Sequence, residues 1–195
     1  GLGDVYKRQA YGSNLNLDQM AMRCPTAQLV GTGVIQDYEL QFKGRPQGAF
    51  ATIAPKKGAM VPVAVWELQQ QDEQALDWYE GYPSHYFKQD IPVQIDGIVI
   101  TTMAYIMDLK QGFGAPSLQY YQTVQKGYKD CGFDLEILDH AVMESAKAYF
   151  ADGIRQNYQE FLFTHQEKVL EEDVPDIAEE WDESDPFYFS EGPKL

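Results

Sequence analysis

Long apolar runs, basic clusters and paired cysteines are all missing from this chain of 195 residues. No stretch approaches the roughly 20 apolar residues a membrane helix needs, and the N-terminus lacks the apolar centre of a signal peptide. The formal net charge is −15, and the 15 Lys and Arg form no stripe. Such a chain should repel phosphate backbones and anionic bilayers, so neither a nucleic acid nor a membrane is expected as a partner. Cys24 and Cys131 are far apart and form no Cys-x-x-Cys, which excludes a disulfide framework and a zinc knuckle. Reduced thiols and a cytoplasmic location are the expectation.

The common catalytic signatures are absent as well. There is no phosphate-cradling Gly-x-x-x-x-Gly-Lys loop, and Gly31-Thr32-Gly33 lacks the third glycine of a dinucleotide fingerprint. Ser13 has no Gly-x-Ser-x-Gly context. His85, His140 and His165 are scattered; His140 and Glu144 could share a helical face but have no third ligand. No metal and no cofactor are therefore expected.

What the chain does have is aromatic residues, with 13 Tyr among them, and a sharply uneven charge. Tyrosine at that density suits either a lined polar pocket or ordinary sheet packing. Eleven acids against two lysines fall within residues 165–195, together with Trp181, Phe187, Tyr188 and Phe189. That composition predicts a loosely ordered acidic tail whose aromatics could dock on the body or on a partner. At the other end, residues 1–9 show neither period-2 alternation nor a helical stripe, and are expected to be a leader of non-native origin, foreign to the fold. The domain then runs over 10–164, C-terminal helices included.

Within it, Asn16 followed by Gln19 signals a helix from Leu17 to about Cys24 that Pro25 ends. Strands are expected at Leu29–Ile35, Tyr38–Phe42, Phe50–Ile53 and Val61–Leu68, between Gly and Pro punctuation. A helix over Gln69–Glu80, with Asp72 as N-cap, ends at Gly81. Asp96-Gly97 joins two more strands, Tyr86–Val93 and Ile98–Met107, in a hairpin. Ser117 caps a helix to about Asp130, and further helices are expected at Leu135–Phe150 and Ile154–Phe163. Six strands followed by several helices predict an α+β fold with a small, mostly antiparallel, barrel-like sheet.

Two places could carry chemistry. Gly12-Ser13-Asn14 sets a residue free in backbone angle beside two short polar side chains, which suits a plain turn or a nest of amides for a carboxylate or oxyanion. Glu80, in the last turn of its helix, meets the negative end of the helix dipole, which opposes its charged form and favours proton acceptance. Asp77 lies one turn earlier, so two solvated charges or a glycosidase-like carboxylate pair are also open.

The order of four motifs resembles the γ-glutamylcyclotransferase-like (AIG2-like, BtrG-like) family. Tyr11-Gly12-Ser13-Asn14-Leu15 resembles its substrate loop and Leu76-Asp77-Trp78-Tyr79-Glu80-Gly81 its Leu-Asp-x-x-Glu-Gly element. Tyr86, and Pro116 to Tyr120 followed by Lys126-Gly127-Tyr128, fall where the family has its later active-site segments. The resemblance spans about Ala10 to Leu138 and implies a mixed barrel flanked by helices. It implies cyclisation of a small γ-glutamyl amine or peptide to 5-oxoproline, with Glu80 catalytic. Substrate contacts would come from Tyr11, Gly12, Ser13, Asn14, Leu15, Tyr86 and Tyr120. A non-catalytic binding module on the same fold is the alternative. In place of the apolar strand that leads into the loop in family members stands Val5-Tyr6-Lys7-Arg8-Gln9, so the first strand is expected to be missing.

Overall fold

Among the described residues, five strands close into a barrel in the order β1-β3-β2-β4-β5, and four α-helices accompany them in the chain. The computed structural model describes residues 6–165, so the acidic tail expectation and its four aromatics lie outside the described residues. The strands are β1 (Tyr6–Ala10), β2 (Gln28–Lys43), β3 (Phe50–Leu68), β4 (Tyr86–Ile95) and β5 (Ile98–Met107). The helices are α1 (Leu17–Arg23), α2 (Gln70–Glu80), α3 (Leu118–Asp130) and α4 (Leu135–His165). The chain divides into two units, residues 1–149 and 150–195; the barrel, α1, α2 and α3 belong to the first.

All neighbouring strands run antiparallel except β1 and β5, which are parallel and close the barrel at Arg8 and Met103. Val61 to Trp66 are buried without a break, so the second half of β3 is covered on both faces, whereas Pro55 to Lys57 before it are exposed. Gly33 lets β2 approach β4: a Cβ there would stand 2.6 Å from the Gln94 carbonyl. This packing need accounts for the glycine that the dinucleotide motif did not.

Four expectations need correction. The four separate runs before Gln69 are two long strands, because the β2/β3 ladder continues through the interruption as a bulge. Asp37, at φ 60°, opposes the Lys56 to Ala59 excursion and accepts the Gly58 N–H at 2.7 Å. Asp72 is not the N-cap of α2 but its third residue, where its carboxylate accepts the Gln69 N–H at 3.0 Å. The two expected C-terminal helices form one, as Gly153 costs a helix interior only about 1 kcal/mol and does not break it.

The largest correction concerns residues 6–9. They do not stand outside the fold: Tyr6 to Ala10 pair residue by residue with Leu68 to Ala64. The strand is polar yet buried, with Arg8 at 3% and Gln9 at 1% exposure. Pairing is satisfied by the backbone, whatever the side chains, so a polar segment can take the place. Its side chains do not match that place. Arg8 Nε and Nη1 and both side-chain polar atoms of Gln9 are buried without a hydrogen-bond partner, and each such group costs about 1–3 kcal/mol.

Candidate active site

The loop after β1 is a single 3-10 turn, Ser13–Leu15, sealed by the Leu15 N–H on the Gly12 carbonyl at 3.0 Å and the Asn16 N–H on Ser13 at 3.1 Å. Asn16 then caps α1 by accepting the Gln19 N–H at 3.1 Å. The turn is held from behind by α3. Gly127 faces Leu15 so closely that a Cβ on it would lie 2.5 Å from the Leu15 Cβ. Leu15 itself is fully buried. Its amide is spent inside the turn, so it anchors the loop and offers nothing to a ligand.

Glu80 comes to the loop from the other side of the sequence. Gly81, at φ 66°, ends α2 with the Tyr82 N–H on the Asp77 carbonyl at 2.9 Å and its own N–H on Trp78 at 3.3 Å, a Schellman closure that requires the left-handed residue. The Glu80 side chain, 12% exposed, is thereby turned inward. Asn14 Nδ2 donates to its Oε1 at 2.6 Å and Arg8 Nη2 donates to the same oxygen at 3.0 Å. No described residue donates to Oε2.

These groups line one cleft. It is walled by Tyr11, Gly12, Ser13, Asn14, Glu80, Tyr86 and Tyr120, together with Arg8, Gln9, Ala10, Ala51 and Tyr105. Of the residues singled out in the sequence, seven meet there and Leu15 lies behind them. The tyrosines are not equivalent. Tyr86 donates its hydroxyl to the Ala51 carbonyl at 2.9 Å, whereas Tyr120 accepts the Ala51 N–H at 3.3 Å and keeps its own proton to give. Tyr11 donates to the Tyr105 carbonyl. Burial first, then the nearby carboxylate and phenols, push the phenols of Tyr11, Tyr86 and Tyr120 up, so all three remain hydroxyl donors at neutral pH.

Asp77 is occupied elsewhere. It accepts from Lys88 at 2.9 Å and from the Tyr105 hydroxyl, and is not itself among the residues that line the cleft. A carboxylate pair with Glu80 is thus not assembled. His140 and Glu144 are exposed on α4, and among the described residues no group of three or more His, Cys, Asp or Glu is placed to hold a metal. Sequence reasoning missed Tyr105, Arg8, Gln9 and Ala51 as wall residues. For Tyr105 the signal was in the pattern, an apolar strand with one phenol; for Arg8 and Gln9 the polarity itself concealed the strand.

A closed mixed barrel with a carboxylate at one helix end, facing a polar turn and two tyrosine hydroxyls, defines an enzyme of the cyclising-transferase type when set beside its relatives. Residues 9–128 match the model of the γ-glutamyl cyclotransferase, AIG2-like family. The chain is 31% identical over 147 residues to the γ-glutamylcyclotransferase of Bos taurus, covering 69% of this chain and 76% of that one. The Homo sapiens γ-glutamylcyclotransferase is 32% identical over 137 residues, with 65% and 72% covered. A solved γ-glutamyl cyclotransferase superposes with a TM-score of 0.65 at 28% identity, over 71% of this chain and 86% of that one. This chain belongs to the γ-glutamyl cyclotransferase, AIG2-like family.

Proposed function

We propose that the protein cyclises a γ-glutamyl amine or peptide to 5-oxoproline, with Glu80 as general base and then general acid. The observation that carries this reading is the 2.6 Å hydrogen bond from Asn14 to Glu80, which joins the loop and the carboxylate in one cleft. In the reaction the substrate's α-amine attacks its own γ-carbonyl carbon. The new C–N bond closes a five-membered ring and the old γ-amide C–N bond breaks. Glu80 takes a proton from the ammonium so that the nitrogen can attack, and returns it to the departing nitrogen; the second proton, shed as the ring nitrogen becomes a lactam N–H, leaves with the released amine as its ammonium, so the enzyme ends as it began.

Geometry supplies much of the rest. Holding the chain folded turns a floppy γ-glutamyl group into a near-attack conformer, an effect that can reach about 7–11 kcal/mol in well-oriented systems. The Tyr120 hydroxyl, whose oxygen accepts the Ala51 N–H, has a proton to donate to the substrate carboxylate or the developing oxyanion beside the Asn14 amide. Tyr86 presents its oxygen as an acceptor, since its proton is committed to Ala51. Neither water nor an external nucleophile enters the step. Incubation with a panel of γ-glutamyl amines, with release of 5-oxoproline as the readout, tests the reading; binding without product would favour a binding module on the same fold.

A further inference from the structure

One cation beside the cleft has a geometry that the proposed reaction does not yet use. Arg23 is the last residue of α1. Its Nη1 donates to Asn14 Oδ1 at 2.8 Å, its Nη2 donates to Gln19 Oε1, and its guanidinium carbon lies 3.6 Å above the centroid of the Tyr79 ring. Tyr79 immediately precedes Glu80, and its hydroxyl lies 3.4 Å from Ser13 Oγ. Arg23 thus touches both elements that build the site, the loop through Asn14 and α2 through Tyr79.

We infer that Arg23 is a positioning residue for the cyclisation, fixing the Asn14 carboxamide so that its N–H is always turned to Glu80. The argument is one of donors and acceptors. A guanidinium only donates and an ionised carboxylate only accepts. An amide placed between them has a single orientation, with Oδ1 on Arg23 and Nδ2 on Glu80. Reversing it would set an oxygen against the carboxylate and an NH₂ against the guanidinium, breaking both bonds at once. Without Arg23 that constraint is gone, and the Asn14 side chain can rotate or flip. Stacking on Tyr79 and the bond to Gln19 keep the guanidinium itself from swinging away. It stays at the rim of the arrangement, acting through Asn14 rather than on the substrate.

The inference rests on the functional reading above, and the test separates the two. Arg23→Met keeps an unbranched side chain at the end of α1 and removes the guanidinium, and with it the donors and the stacking on Tyr79. It should lower kcat about tenfold or more while KM stays within about threefold, because an orienting interaction is lost rather than a substrate contact. Arg23→Lys, with one donor left for Oδ1, should recover part of the loss. In an Asn14→Ala background the Arg23→Met change should alter kcat by less than about twofold, since its route is already cut. Equal losses in both backgrounds, or loss of the fold in Arg23→Met, would overturn the role. Absence of 5-oxoproline from the unaltered protein would instead overturn the functional reading and this inference with it.

Discussion

Arg8 Nη2 and Glu80 Oε1 lie 3.0 Å apart in the wall of the cleft, an ion pair between a guanidinium 4% exposed and a carboxylate 12% exposed. The pair holds a charge where the proposed chemistry needs a different one. A substrate ammonium must reach Glu80, and two like charges about 4 Å apart at an effective dielectric of about 20 repel by roughly 4 kcal/mol. Arg8 also leaves Nε and Nη1 unpartnered, so the pair is an imperfect stabiliser of its strand.

Arg8→Met should therefore raise kcat/KM for a γ-glutamyl substrate by about tenfold, mostly by lowering KM. Steady-state kinetics of 5-oxoproline release check it. A fall in kcat/KM would mean that the guanidinium assists the substrate rather than competing with it.

Gln9→Leu should stabilise the barrel. The Gln9 amide is buried with neither of its polar atoms partnered, and replacing such a group by an apolar one of similar size should recover about 1–3 kcal/mol. The urea midpoint should rise with the slope unchanged; a lowered midpoint would show that the amide has a partner in solution.

The same two residues mark the boundary of what the sequence made legible. Caps, glycines and turn dipeptides are local signals, so α1, α3, the end of α2 and the Asp96-Gly97 hairpin could be placed within a few residues. The loop and Glu80 were visible because their motifs are short and contiguous. β1 was not, because its strand character comes from backbone pairing with β3, nearly sixty residues away, and its side chains deny the burial it has. Arg23 was invisible for a related reason: its role depends on an amide orientation that only the folded loop creates.

Gly127→Ala should damage both stability and turnover. The added Cβ would meet Leu15 Cβ at 2.5 Å and the Asn16 amide nitrogen at 2.7 Å, inside van der Waals contact with backbone that cannot yield cheaply. Overpacking of this kind costs typically 1–3 kcal/mol, and here it pushes on the turn that carries Ser13 and Asn14. Calorimetry with parallel kinetics reads both losses; an unchanged kcat would detach the loop's placement from α3.

Alkaline pH should unfold the protein earlier than its surface charge requires. Burial raises the phenols of Tyr11, Tyr86, Tyr105, Tyr120 and Tyr128, and raises the Cys24 thiol to about 11. Unfolded thiols and phenols titrate near about 8.5 and 10. Groups raised in the folded state give stability that is complete below those unfolded values and is lost as pH climbs through the folded ones. The urea midpoint should stay level from pH 7 to 8 and decline from about pH 9 upward; a level midpoint to pH 11 would contradict the buried-phenol picture.

The central claim is that Glu80 moves the proton, and Glu80→Gln tests it most directly. Gln keeps the size of the side chain and an oxygen for the Asn14 and Arg8 N–H groups, so circular dichroism should remain that of the folded parent, while the melting temperature falls because the buried Arg8 guanidinium loses its counter-charge. Release of 5-oxoproline from a γ-glutamyl substrate should fall by about 10²–10⁴ in kcat, the usual loss when a general base is removed. A folded Glu80→Gln protein that releases 5-oxoproline at the parent rate would contradict the account.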